Sequence, residues 1–411
     1  MNYKQLILTL LISTFIIRLV ALIFLGDTSL ENEWNVLVHN LFNKGVLGYY
    51  IVNNDFLATP GLAGINDVVL PSAFMPPLYA YFIYIIKYLF FSYTNFVNAI
   101  IIIQIIFSTI ATYLFFKILQ TSESRGVSLY ATLVFSLIPI NIYASVQISS
   151  ISIQVFLLIY FFYILKIFSE HNKLSQKSLF IFSFLSGLLI LLRGEFILFY
   201  FFTIFYFFIF YTRNFKLLLI SILTTLIIIS PHLLRNYYHF NTLTITKSIG
   251  YNLLKGNNPD FKIEGNPKFI DEKFNIEKLS IKTDKQFELK LDNFYKDKAL
   301  DYIKNDPAFY IKNYLKKVLS FLFFDPYSSY EKYFNIFHLI PKLFLSILSI
   351  LGGIVAIKNK GYMQYLSIYY FSNILFFSIF FILPRYSLIL LPVQILLSLE
   401  FVKFFLRKFI N

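Results

Sequence analysis

Apolar runs of roughly 20 residues recur along most of this 411-residue chain, and no other feature limits its fold as strictly. The bilayer interior offers backbone N–H and C=O groups no water, so a crossing segment must satisfy them internally. The first run, about Leu6 to Leu25, is followed by Gly-Asp-Thr-Ser rather than a small-residue cleavage site, which predicts a retained first helix. Only 14% of residues are charged and mean hydropathy is +0.66, whereas a soluble domain carries roughly 25% charged residues. A soluble globular fold is excluded. The expectation is an all-α polytopic membrane protein of about ten transmembrane helices, within a range of about nine to twelve.

The net charge of +14 suggests nucleic acid only until it is set against this apolarity; Lys and Arg in cytoplasmic loops account for it, and no nucleic-acid partner follows. Without Cys there is no disulfide framework, thiolate metal site or thiol nucleophile. Placing Lys and Arg inside gives cytoplasmic N- and C-termini and two outer loops. The first, 26–73, carries Asp27, Glu31, Glu33, Asp55 and Asp67 against Lys44 alone. Pro77 to Phe91 is short enough to lie at the interface. Arg213 and Lys216 mark an inner turn, and the span from Leu217 is expected to end at Ser230, opening a second outer loop at 232–337. Amphipathic helices on the membrane surface are expected between Asp297 and Lys317. The domain reading is a transmembrane core at 1–231, the extracytoplasmic region at 232–337 and C-terminal helices at 338–411. No internal repeat is evident.

Charged residues at membrane depth cost about 2.5 to 3.5 kcal/mol each on insertion scales, which makes each a candidate for function. Arg18, Arg193, Glu195, Arg235 and Arg385 all fall toward the outer side. Arg18 fits either snorkelling, a pair with Asp27 or another loop acid, or an anion site. Arg193 and Glu195 fit either a mutual pair at a helix break or an anionic substrate; Arg235 and Arg385 fit either interfacial anchors or phosphate ligands, which arginine's planar fork suits. Glu31 and Glu33 are either solvated loop charges or a base folded back onto an outer cavity. The five His residues show no metal-ligand spacing.

In order along the chain stand Glu31-Asn-Glu33-Trp34 with His39-Asn40-Leu41-Phe42-Asn43-Lys44-Gly45, Pro76-Pro77-Leu78-Tyr79, Leu192-Arg193-Gly194-Glu195, and Pro231-His232-Leu233-Leu234-Arg235-Asn236-Tyr237. Gly250-Tyr251-Asn252-Leu253, Gly256-Asn257-Asn258-Pro259, Ala299 through Asp306-Pro307 to Lys316-Lys317, and Arg385-Tyr386 with Pro392 complete the set. The set resembles the GT-C superfamily of membrane glycosyltransferases, whose members include protein mannosyltransferases and lipid A aminoarabinose transferases, over nearly the whole chain. Two positions depart from the family pattern: a glutamate stands for the usual first-loop aspartate, and Tyr143 to Gln154 carries no acid.

The resemblance implies transfer of a sugar, with inversion, from a polyprenyl-phosphate donor to a lipid, polysaccharide or protein acceptor on the outer face of a cell membrane, the bacterial inner membrane being expected. Glu33 is expected to be the base and Glu31 its helper, with Arg235, Arg385 and Arg193 as phosphate ligands. Asn257, Asn258, Tyr251 and Glu195 are expected to contact substrate, Asn257 and Asn258 being equally readable as a turn. Membrane lipids are the other expected partners; no cofactor or metal is implied. The alternatives are a transporter or flippase for a lipid-linked sugar, which would need polar groups near the midplane, and a catalytically inactive GT-C homologue.

Overall fold

The computed structural model describes residues 3–52, 58–90, 93–171, 175–212, 214–329 and 335–409; Asp55 and Arg213 lie outside them. The chain opens with α1 (Tyr3–Leu25) and α2 (Asn32–Lys44), then a small antiparallel sheet of β1 (Tyr50–Val52), β2 (Ala58–Pro60) and β3 (Val68–Val69) in the order β2-β1-β3. There follow α3 (Pro77–Leu89), α4 (Tyr93–Gln120), α5 (Arg125–Leu137), α6 (Pro139–Ser145), α7 (Ile151–His171), α8 (Gln176–Leu192) and α9 (Phe196–Phe207), which runs on as a short π-helical turn over Phe208–Thr212. The rest is α10 (Phe215–Phe240), α11 (Ile249–Gly256), α12 (Pro267–Leu279), α13 (Phe287–Asn305), α14 (Pro307–Leu322), α15 (Ile336–Ile357), α16 (Tyr362–Phe377) and α17 (Tyr386–Phe409).

Among the described residues six helices are long and apolar enough to cross a membrane, and seven if α5 and α6, bent by 58°, form one broken span. The expectation of about ten differs because α8, the α9 segment and α16 are shorter, at 17, 12 (before the π turn) and 16 residues. At 1.5 Å per residue, 17 residues cover about 25 Å of a hydrocarbon core of about 30 Å. Helix α3, with 13 residues, is too short to cross.

Local chemistry sets the ends of these elements. The side chains of Ser124, Ser175 and Asn214 accept the first free N–H groups of α5, α8 and α10, and Pro77, Pro139, Pro267 and Pro307 sit where a helix has no need of an N–H. Gly45 ends α2 in the left-handed region at φ 69°. Asn40 then ties the 45–63 segment together, donating to the Gly48 and Gly61 carbonyls and accepting from Ala63 N.

Helix α10 corrects one boundary. It does not stop at Ser230 but continues through Pro231 to Phe240, so Arg235 rides on a helix rather than in a loop. The extension is held from outside. Asn236 donates to Thr244 O, His232 lies 3.1 Å from Ile245 O, and Arg235 reaches the Ser72 and Leu47 carbonyls. Tertiary bonds here outweigh the proline's tendency to break a helix.

Helix α14 has its polarity reversed. Ile311, Leu315 and Leu319 are exposed, whereas Asn313, Lys317 and Ser320 are buried. An apolar outer stripe flanked by exposed Lys312 and Lys316 is what lipid surroundings impose on a helix, with the lysine heads snorkelling toward water.

Candidate functional site

The segments 26–73 and 232–337 meet on one network. Glu288, buried on α13, accepts 2.6 Å hydrogen bonds from Ser72 Oγ and Ala73 N. Arg235 donates to Ser72 O at 2.6 Å and to Leu47 O at 2.7 Å, so both loops are clamped to the end of α10. Burial pushes the Glu288 carboxyl up to about 7, although both hydrogen bonds and Arg235 favour its charged form. A carboxyl raised in the folded state favours that state at low pH. Docking therefore weakens as pH rises from about 4.5 to about 7, by up to about 3 kcal/mol. Limited proteolysis between Ala58 and Ala73 is expected to be several-fold faster at pH 8 than at pH 5, and to lose this dependence in Glu288→Gln.

Beneath the clamp, glycines let backbones touch. A Cβ on Gly250 would stand 1.9 Å from Asp292 O, and one on Gly256 would stand 1.9 Å from Phe380 O. Asp292 also accepts from Tyr251 N at 3.0 Å. The Gly256 contact seats α11 against the 378–385 segment that leads to Arg385. Lys317 locks the contact: its buried ammonium donates to Phe380 O at 2.7 Å and to Asn257 Oδ1 at 3.0 Å, with Gly256 O and Ile379 O at 3.3 Å.

This scaffold positions Lys255, which sequence reasoning passed over. Its Nζ lies 4.3 Å from the centre of the Phe381 ring, a cation–π contact. Its pKa is lowered by burial first and by Arg385 as well, while Glu33 acts to restore the charge. Lys255 is thus within electrostatic reach of both Glu33 and Arg385. Among the described residues neither the Glu33 carboxylate nor the Arg385 guanidinium has a hydrogen-bond or ion-pair partner. Glu33 also acts on Tyr49, whose phenol is pushed up to about 12 by burial and then by Glu33, Asp271 and Glu288. Tyr251 is raised for the same kinds of reason, and both hydroxyls therefore stay protonated.

The remaining sequence candidates occupy other places. Glu31, exposed at the residue before α2, makes no capping bond to the helix and accepts from Ser29 Oγ at 2.7 Å. Asp27, passed over as a site residue, accepts from Ile148 N at 2.7 Å; burial raises its pKa, against that hydrogen bond and with help from Glu31. A first-loop carboxylate thus rests against the acid-free second segment. Arg193 Nε donates to Gln154 Oε1 at 3.0 Å and forms no ion pair with Glu195, so the mutual-pair reading is corrected. A neutral partner orients the guanidinium without cancelling its charge. Neither residue interacts directly with Lys255 or Arg385.

Three further expectations change. Arg18 neither snorkels nor pairs with an acid: it is fully buried, bonded through Nε to Ser108 Oγ and through Nη1 to Thr14 O. Arg235 spends its guanidinium on Ser72 O, Leu47 O and the Asn236 side chain, which makes it a clamp rather than an open phosphate ligand. Asn257 and Asn258 are buried, with their amides turned to Leu253 O, Ile379 O, Leu254 O and Lys255 O; they hold the turn.

No family model matches the sequence, and no curated protein matches it. Solved structures do. The archaeal oligosaccharyltransferase AglB from Archaeoglobus fulgidus, solved with an inhibitory peptide and a dolichol-phosphate, matches with a TM-score of 0.54 and 13% identity over 99% of this chain and 51% of that one. The Archaeoglobus fulgidus enzyme tethered to an acceptor peptide gives 0.55 and 13%, over 98% and 50%; its complex with Zn and sulfate gives 0.54 and 13%, over 97% and 49%. The chain spans about half the length of these structures. At 13% identity the likeness is one of fold: the chain shares the helical fold of about half of these oligosaccharyltransferase structures.

Proposed function

We propose that the chain is a multi-pass membrane glycosyltransferase that moves a sugar from a polyprenyl-phosphate donor to an acceptor on the outer face of the membrane. One observation carries this reading: the Glu33 carboxylate, which has no side-chain partner among the described residues, acts on the Lys255 ammonium, and the Arg385 guanidinium acts on the same ammonium.

In the reaction, the acceptor hydroxyl attacks the anomeric carbon as the bond from that carbon to the phosphate oxygen breaks. Glu33 takes the hydroxyl proton, and the electron pair leaves with the phosphate, which Lys255 and Arg385 neutralise where its charge develops. Arg193, oriented by Gln154, adds positive charge along the donor's path. Attack opposite the leaving group inverts the anomeric centre. Arg235 and Glu288 act by fixing the two loops, and Asn257 and Asn258 by fixing the turn that carries Lys255. Glu31 and Asp27, on the same loop as Glu33, polarise and position the acceptor.

Removing one preorganised cation from a leaving group typically costs about 10²- to 10³-fold in rate. Lys255→Met and Arg385→Gln are therefore each expected to lower kcat by about that factor in a labelled-sugar transfer assay. Lys255→Arg keeps the charge and recovers part of the activity. Wild-type turnover in both uncharged variants would remove these residues from the leaving-group site.

A further inference from the structure

A proline bends one span and leaves room behind it. Pro139 disfavours helical dihedrals at Ile138, which stands at φ −56° and ψ 122°, and α6 turns 58° away from α5. A cavity lies at this bend, between α6 and the starts of α15 and α17. Two of its lining residues are exposed, Pro139 and Phe337, the latter by 76%, so it opens beside them. The same flank of α15 exposes Ile340 and Phe344, an apolar surface suited to lipid tails.

The interior of the cavity is not apolar. His338 is buried there, Lys342 follows one turn further along α15, and no lining residue is acidic. Ionisable side chains on a helix that can cross a membrane mark candidate sites, and neither of these takes part in the proposed transfer. On the α17 wall Ser387 is bonded to Pro384 O and Gln394 to the Tyr370 hydroxyl, which fixes their orientation. Leu388, also in the lining, donates its N–H to Arg385 O, so Arg385 stands one turn earlier. The leaving-group cations and this cavity are thus neighbours at the start of α17, with different charges in each.

We propose that the cavity holds the phosphodiester head of an anionic phospholipid, with Lys342 and His338 on the phosphate and the acyl chains running out past Phe337. One ammonium matches the single negative charge of a phosphodiester. A phosphomonoester carries about 1.5 to 2 negative charges at pH 7, and a choline head brings a cation of its own against Lys342. The bilayer supplies such a lipid from the side, and once bound it ties α6 to α15 and α17. Its occupancy is independent of sugar transfer.

Native mass spectrometry tests this on the full chain, released from nanodiscs that contain equal phosphatidylglycerol and phosphatidylcholine. One phosphatidylglycerol is expected to stay bound, in preference to phosphatidylcholine by about fivefold or more. Lys342→Met is expected to abolish the preference. Ile140→Trp, which keeps both ionisable groups and fills the entrance, is expected to abolish it too, and decides alone if Lys342→Met does not fold. Lys358→Met, at an exposed lysine just past the far end of α15, is expected to keep it. Equal retention of the two lipids by the wild type, or a preference undiminished in Lys342→Met or in Ile140→Trp, overturns the proposal and leaves Lys342 a snorkelling side chain. Polyprenyl phosphate that displaces the bound phosphatidylglycerol at equal concentration overturns it as well and assigns the cavity to the sugar carrier.

Discussion

Membranes carrying Glu33→Gln are expected to lose transfer by roughly 10²- to 10⁴-fold in kcat, the range a positioned general base supplies, while expression and donor binding stay near wild type. Glutamine fills the same volume and keeps a hydrogen-bond acceptor but takes up no proton at working pH. Glu33 makes no hydrogen bond or ion pair among the described residues, so the substitution breaks no structural contact and reports on chemistry. Glu31→Gln disturbs only an exposed bond to Ser29 and is expected to cost less than about tenfold. A larger loss in Glu31→Gln or Asp27→Asn than in Glu33→Gln would move the base along the loop.

Lys317→Met is the second large effect, and it acts on folding. Burial pushes the Lys317 pKa down to about 7, while four oxygen acceptors lie within hydrogen-bond reach of its Nζ and favour the charged form. An unsatisfied buried polar group costs about 1 to 3 kcal/mol, and methionine strands several at once, so a loss of about 3 kcal/mol or more is expected. The apparent melting temperature in detergent should fall by several degrees, and transfer should fall with it, because the same contacts seat the turn that carries Lys255. Lys317→Arg is not expected to rescue, since a planar fork cannot copy a point donor among four acceptors. An unchanged melting temperature would show that the turn is held by the Gly256 contact alone.

The order of helices was readable because the bilayer leaves an apolar run of such length few alternatives. Polar roles were not readable in the same way. Nothing in the residue type distinguishes Arg235, whose guanidinium is consumed by two backbone carbonyls and Asn236, from Arg385, which has no such partners. Asn257 and Asn258 suggested sugar contacts, but an amide serves a buried turn equally well, and here it does. Lys255 hid in a lysine-rich loop; the available signal was a lone cation between Leu254 and Gly256 in an otherwise uncharged motif. Glu288 carried a similar mark, a charge between Phe287 and Leu289 on the buried face of α13. The end of α10 was misplaced because Pro231 usually closes a helix, and only the loop carbonyls and side chains around it explain why it does not.

The most direct measurement gives the purified chain, in nanodiscs and in sealed liposomes, a polyprenyl-phosphate donor with a labelled sugar of known anomeric configuration, together with a panel of glycan, lipid and peptide acceptors. Label recovered in an acceptor with the anomeric configuration inverted is the expected result. Donor that crosses the liposome membrane with its label still on the lipid, and no labelled acceptor across the panel, would contradict it and identify a carrier instead.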